Sequence, residues 1–563
     1  MEVARGYHEA TKHHPYRYAR SLGYLDWATQ PDPFRRYPGA PLFLLPFPRR
    51  DESPPYDDLY APGRIRPTPV NLHTIAQFFE CSLAISAWKE YQGERWALRC
   101  NPSSGNLHPT EGYLIAGPIE GLSDAPAVYH YRSDEHALER RTQFPLAVWQ
   151  ELTAEFPSGA FLAGLTSIHW REAWKYGERA YRYCQHDAGH ALAAYALSAA
   201  ALGWQSRHLE GLSDEDVSTL LGLDRGADFE DAECEHPDLI IAVYPGGNND
   251  IPLRLPRSAI EEIKKGRWQG HANRLSTDHQ DWEIINAAAE ACAKPSGEFQ
   301  PHDSTCSPVE TPAATGSNGP GSASLTRRLV SARRIFLQRR SAVAMDGRTR
   351  ISREAFYRTL SRAMPFPGTI PWDAFGEPVA VHLAIFVHRV DGIPPGLYCL
   401  PRSSEAFPSL KECMRPDFRW ERPAGGPSEL PLYLLRAGNF QNVAGQVSCG
   451  QEIASDGAFS LGMLAEFESR LEKHGAWFYR RLFWETGVIG QVLYLEAEAA
   501  GIRSTGIGCF FDEAMHELLG LRNRQFQSLY HFTVGGHVDD PRLTTLPPYT
   551  DARRRLEGPV PDP

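Results

Sequence analysis

Four short segments of this chain carry residue types whose spacing suits binding or proton transfer. Gln338-Arg339-Arg340-Ser341 sets two guanidinium groups beside a hydroxyl, and forked, charged N–H donors match the oxygens of a phosphate. Arg333, Arg334 and Arg348 lie nearby, so a solvated basic run is the competing reading. Between Arg99 and Glu111, Pro102-Ser103-Ser104-Gly105-Asn106 forms a tight loop with outward hydroxyl and backbone donors; taken alone it is equally a plain turn. Lys175-Tyr176-Gly177 offers an acid/base pair, because a cation beside a phenol favours phenolate. Neighbouring residues of a helix do not face one site, so the pair requires the backbone to turn at Gly177. A surface lysine and a packed tyrosine are the alternative. Ser504-Thr505-Gly506-Ile507-Gly508 lets backbone approach a planar ligand closely, although a lone G-x-G carries little information. No G-x-G-x-x-G follows a strand, which argues against a dinucleotide-binding Rossmann unit. His186 and His190 have the i,i+4 spacing of helical metal ligands but lack a third ligand at a recognisable distance, and His13-His14 has no partner pattern. No metal site is expected.

The elements that must position these residues occur twice. Gly159–Leu223 realigns without gaps on Gly457–Leu521 at an offset of 298, with about 20 of the 65 positions identical. The pairs include Tyr181-Arg182 with Tyr479-Arg480, Gly189 with Gly487, Gly203 with Gly501, and Asp214-Glu215 with Asp512-Glu513. A weaker match at an offset of 269 pairs Pro109, Pro126 and Tyr129 with Pro378, Pro395 and Tyr398. Two copies of one fold therefore lie in tandem and are expected to pack as an intrachain pseudo-dimer with the chemistry between them. Residues 294–323, rich in Pro, Ser, Gly and Thr, read as a flexible linker with a reach of about 30 Å. The division is an extension over 1–60, a first domain over 61–293 and a second over 324–563. The extension has no counterpart in the second copy, and either wraps the interface or covers the site.

Within the copies, alternation predicts strands at Gly112–Ala116 and Val379–His388. Ala- and Leu-rich stretches ending at Gly203 and Gly501 predict helices over His190–Leu202 and Val488–Ala500. Short helices with acidic starts and glycine ends are predicted from Asp214 and Asp512, and another over Arg353–Arg362. Strand and helix alternate without a βαβ rhythm, so the class is α+β.

The 563 residues allow two to four domains with their own cores. A net charge of -11 argues against nucleic-acid binding. No apolar run reaches the roughly 18 residues of a membrane span, and the N-terminus lacks the regions of a signal peptide. Ten cysteines without a C-x-x-C suggest reduced thiols in a cytoplasmic protein.

In combination, Arg-Arg-Ser, Pro-Ser-Ser-Gly-x-x-x-Pro-x-Glu, Lys-Tyr-Gly-x-Arg-x-Tyr-Arg and the Gly-Ile-Gly loop resemble the nitroreductase-like flavoprotein superfamily. Within it they resemble the SagB/ThcOx-type dehydrogenases, which include azoline oxidases of peptide biosynthesis. The resemblance implies FMN held between two nitroreductase-like copies. Arg339, Arg340 and Ser341 would hold its phosphate or ribityl, with Arg542 completing the phosphate site. Ser103, Ser104 and Asn106 would lie along the isoalloxazine, and Ile507 and Gly508 would turn backbone toward the ring edge. It also implies Tyr176, assisted by Lys175, as the base in a two-electron dehydrogenation of a small-molecule or peptide substrate, alongside biosynthetic partner proteins. The motifs are unequally shared. The first copy offers only Arg64-Ile65-Arg66 before its loop and Arg207-His208-Leu209-Glu210 in place of Gly-Ile-Gly; the second has Phe366–Pro371 in place of Pro-Ser-Ser and Lys473-His474 in place of Lys-Tyr. One complete composite site and one decayed site are therefore expected. An NAD(P)H-dependent nitroreductase or quinone reductase, and a catalytically inactive scaffold, are the alternative readings.

Overall fold

The computed structural model describes residues 1–246, 251–297, 328–376 and 378–550. Most of the predicted linker, 298–323, lies outside them. Two antiparallel sheets organise the copies. In the first, the strands run in the order Leu42–Leu44, Ala137–Gln143, Ala127–Arg132, Thr110–Ala116, Phe161–Ser167, His236–Tyr244, Gln205–His208; in the second, Tyr433–Ala437, Gly396–Leu400, Val381–Val387, Phe459–Glu466, Phe526–Gly535, Arg503–Ile507. Six strands correspond one to one, and the extension supplies the seventh at an edge of the first sheet. The predicted strands at 112–116 and 379–388 occupy equivalent positions, each paired with the strand that opens the repeat.

Each copy contributes one long helix to the centre of the molecule, Ala180–Ala201 and Phe478–Ala499, both 22 residues. Both begin about ten residues before the predicted starts. The first is buried along its whole length, although it carries Arg182, Gln185, His186, Asp187 and His190. The other helix partners two of these: Trp484 Nε1 donates to Gln185 Oε1 at 2.7 Å, and His186 Nδ1 meets Thr486 Oγ1 at 2.8 Å. Where the helices cross, a Cβ built on Gly189 would stand 2.1 Å from the Trp484 carbonyl oxygen, and one on Gly487 2.2 Å from that of His186. Only hydrogen fits at this crossing.

Other identities of the repeat fall on the same interface. Arg182 pairs with Asp512 at 2.9 Å and Arg480 with Asp214 at 2.6 Å, which are equivalent ion pairs exchanged between copies. Tyr181 stacks parallel to Tyr479, centroids 6.4 Å apart. Arg179 also reaches Asp512, at 3.2 Å, and the two guanidinium groups hold that buried carboxyl far below the usual range against the penalty of burial. The short helices Asp214–Leu221 and Asp512–Leu519 place these carboxylates and end, as predicted, on left-handed Gly222 and Gly520. The helix Arg353–Arg362 also forms as predicted.

The extension ties both copies together. Its helix Glu2–Ala10 ion-pairs Arg5 to Glu468, and Tyr7 donates to the Glu178 carbonyl at 2.7 Å. Lys12 then meets Glu513 at 2.7 Å. In return, the C-terminal strand Thr544–Leu546 joins the hairpin Ile85–Tyr91/Glu94–Arg99 of the first copy, and Tyr549 accepts from Ile85 N at 2.6 Å. The described part of the chain thus interlocks the copies from both ends.

Candidate functional site

A cavity of about 450 Å³ opens between the copies and draws its wall from both. From the first come Ser103, Ser104, Gly105, Asn106, Tyr176, Tyr183, Asp187 and His190; from the second, Arg339, Arg340, Ser341, Tyr494, Ile507, Gly508, Cys509 and Tyr530. All four sequence segments meet here. Two predicted residues are not part of the wall. Lys175 lies beside it with Nζ 5.4 Å from the Tyr176 ring centroid. Arg542 is exposed and bound by Asp540, although Asp540 and Leu543 line the rim.

The basic end is built on the helix Ala332–Gln338, which stops at Arg339. Arg339 is buried and spans the interface: Nε donates to Cys100 O at 3.0 Å and Nη2 to Arg99 O at 2.9 Å. Its Nη1 is buried without a partner. A guanidinium nitrogen facing a cavity with no acceptor is costly unless a ligand oxygen completes it. Arg340 is more constrained, with Nη1 donating to Ser86 Oγ, Leu337 O and Arg339 O at 2.7–3.0 Å. Burial, then Arg339, pushes it down to about 10. Ser341 Oγ bonds Tyr494 OH at 2.9 Å, and that hydroxyl accepts from Gly506 N at 3.0 Å, which locks the Arg-Arg-Ser segment to the glycine loop. A Cβ on Gly508 would lie 2.3 Å from the Tyr183 ring, so the loop passes too close to Tyr183 for a side chain.

At the other end, the helix His169–Tyr176 stops at Gly177, φ +54°, and the chain turns into the central helix. This turn brings Tyr176 against the Ser104-Gly105 loop. The expectation that Lys175 lowers the phenol is not met. Burial, then Glu172, Tyr183 and Asp187, push Tyr176 well above its ordinary value, because the sequence could not show the buried carboxyls that face it. Tyr176 holds its proton.

Sequence reasoning missed Asp187. Its carboxylate accepts from Ser104 N at 3.1 Å and from Ser104 Oγ at 3.2 Å. Burial outweighs these bonds and pushes it up to about 7. The repeat held a signal, because Asp187 aligns with Glu485. That carboxylate accepts from Ala380 N at 2.8 Å and pairs with buried Arg402, whereas Ser104 brings Asp187 no charge. His190, set aside as a metal ligand, also lines the cavity; burial and Arg339 push it down to about 3, so its imidazole is neutral. No cluster of metal-ligating side chains occurs among the described residues.

Asp187 carries a testable pH dependence. It titrates near 7 in the folded chain against 3.8 for an unperturbed carboxyl, so the folded state binds the extra proton and loses stability as pH rises from about 4 to 7. Relative to wild type, Asp187→Asn is expected to gain on the order of 4 kcal/mol over that window and to level off above it, as read from urea midpoints across pH.

The pseudo-symmetric position is a separate cavity of about 370 Å³, lined by Asp58, Arg207, Gly368, Ile370 and Asp373 among others. Arg207 is engaged there, donating to the Asp373 carbonyl at 3.0 Å. Glu210, aligned with Gly508, instead meets Arg481 at 3.5 Å.

A Nitroreductase family model matches residues 65–236 and 435–536. The crystal structure of an Anabaena variabilis protein described as a nitroreductase is 22% identical. Its alignment covers 95% of this chain and 99% of that one, with a TM-score of 0.65. The Escherichia coli microcin synthetase McbBCD complex with truncated pro-MccB17 bound is 20% identical over 36% of this chain and 71% of that one, TM-score 0.26. A nitroreductase from Exiguobacterium sibiricum in complex with FMN is 13% identical over 37% and 88%, TM-score 0.22. No curated protein matches. With family matches in both copies and one crystal structure spanning the two, the chain has the nitroreductase fold, built twice in tandem.

Proposed function

We propose that the chain is an FMN-dependent oxidoreductase of the SagB type, removing two electrons from an azoline or a related peptide or natural-product intermediate. The observation that carries this reading is the meeting of all four motifs, two from each copy, in one cavity. The residues suit FMN: the unpartnered Arg339 Nη1 offers a donor to its phosphate, Ser341 and the glycine loop flank the path inward, and the volume falls within the range of cofactor pockets. When bound, FMN supplies the two-electron acceptor.

The chain's residues then handle the proton. Asp187, half-ionised near neutral pH, is the acceptor for an acidic C–H proton, and Ser104 orients its carboxyl. Tyr176, held protonated, donates a hydrogen bond that positions the substrate and does not itself abstract. Tyr176→Phe is expected to lower kcat by about 10²–10⁴-fold while flavin stays bound. Lys175→Met, outside the wall, is expected to have a much smaller effect. Exposed Tyr16, Tyr18 and Tyr24 along the extension offer stacking surface to a peptide or partner protein.

The visible spectrum and released flavin of the purified protein test the reading. About one FMN per chain is expected, since Arg207 already has a partner in the second cavity and Glu210, which stands where the other copy has Gly508, is paired with Arg481. Two flavins would remove the single-site reading, and none after reconstitution would favour a scaffold. Anaerobic bleaching by an azoline peptide supports dehydrogenation; bleaching only by NAD(P)H would make the chain a reductase.

A further inference from the structure

Two cysteines stand together at the rim of the same cavity. Cys509 follows the Ile507-Gly508 wall directly and lines the cavity, and Cys449 sits in the turn between the helices Gln441–Val447 and Glu452–Asp456. Their Sγ atoms are 2.7 Å apart, within 1 Å of a bonded pair at about 2.05 Å. Both are half-buried, so a reagent can reach them. Cys449 adopts φ +56°, a left-handed conformation uncommon outside glycine. Gln451 holds the two segments in place, donating to Cys509 O at 2.9 Å and Ser448 O at 3.0 Å.

The surroundings divide the pair into two roles. The contact with the Cys449 sulfur, then a bond with His13 and the positive charge of Arg179, push the Cys509 thiol down against burial. The same contact pushes Cys449 up. Asp512 and the Tyr18 hydroxyl face the pair from the other packed elements. His13 and Arg179, which also donates to Gly508 O at 3.1 Å, stand on the Cys509 side and favour negative charge there, which suits an attacking sulfur beside a resolving one.

We propose that Cys509 and Cys449 form a redox-active dithiol that exchanges with disulfides, Cys509 attacking and Cys449 resolving. The Cys509 thiolate attacks a disulfide R–S–S–R, forming a mixed disulfide and releasing one thiolate, which takes the Cys449 proton. The Cys449 sulfur then attacks Cys509, closing the internal disulfide and expelling the second R–S⁻. The internal pair loses two electrons and the external disulfide gains them. This step needs no cofactor and stands apart from the flavin reading. Its consequence for the site is mechanical, because closure ties the glycine-loop wall of the cavity to the 448–451 turn.

The test incubates the full chain, pre-reduced and freed of reductant, in glutathione buffers of stepped redox poise. Remaining thiols are trapped with N-ethylmaleimide and read by intact mass and peptide mapping. Wild type is expected to lose two alkylation sites together and gain a Cys449–Cys509 crosslink. Cys449→Ser is expected to accumulate a glutathione adduct at Cys509, and Cys509→Ser to form no adduct at Cys449. Cys413→Ser serves as a background control and keeps the crosslink. Independent alkylation of both cysteines in wild type at the most oxidising poise would overturn the proposal. Equal adduct formation by the two single variants would overturn the assignment of attacking and resolving roles.

Discussion

Arg339→Met is expected to yield folded protein that no longer retains FMN through gel filtration, with affinity reduced by roughly 30- to 1,000-fold. Arg339 spans the copies through the Arg99 and Cys100 carbonyls and leaves one buried guanidinium nitrogen free. A charge-assisted bond to a phosphate there contributes about 1.5–3 kcal/mol, and loss of the accompanying charge adds to it, so about 2–4 kcal/mol gives that range. Arg339→Lys separates the terms, since it keeps the charge and loses the planar fork, and it is expected to fall between wild type and Met. The measurement is flavin fluorescence on titration of apoprotein with FMN. Unchanged affinity in both variants would remove Arg339 from the cofactor site. A normal thermal unfolding profile for Arg339→Met guards against misreading a folding defect.

Gly487→Val, like a substitution at Gly189, is expected to be severely damaging although it lies away from the cavity wall. Even the first carbon would sit 2.2 Å from the His186 carbonyl oxygen and 2.8 Å from the Gly189 Cα, both backbone atoms in rigid helices, so relief requires the helices to separate. Overpacking costs about 1–3 kcal/mol where side chains can shift, and here none can, so a loss above that range is expected. The change should appear as a fall in Tm of many degrees or as insoluble protein. Gly501→Ala is the contrast: it has nothing within 4 Å and φ +73°, so only its left-handed backbone is strained, at about 1 kcal/mol. If the two variants unfolded at the same temperature, the crossing would not limit stability.

The repeat made much of the fold legible. Gly189 with Gly487, Tyr181-Arg182 with Tyr479-Arg480 and Asp214 with Asp512 were visible as identities, and the structure shows why they persist: they are the surface on which the copies meet. The starts of the central helices were not legible. Arg182, Gln185, His186 and Asp187 precede the Ala- and Leu-rich run on which the prediction rested, and their partners Asp512, Trp484, Thr486 and Ser104 lie far away in sequence. The same blindness to burial misjudged Tyr176. From sequence, Lys175 is its neighbour; in the fold, Glu172 and Asp187 are the groups that set its proton. Arg542 had the right charge in the right segment, but Asp540, two residues away, holds it outside the wall. The cysteine pair was invisible for a simpler reason: 60 residues separate Cys449 from Cys509, and three helices and two strands lie between them in sequence.

The two interfacial cavities have no lining residue in common. In an assembly of two identical subunits, each codon serves both pockets, and a change that ruins one ruins its twin. Here, each codon serves one pocket at most. Natural selection can therefore hold one pocket strictly while the other drifts, so comparisons among tandem relatives should find different substitution rates at Arg339 and at Asp58, at Thr505 and at Arg207. Two copies carried on one chain make lopsidedness heritable.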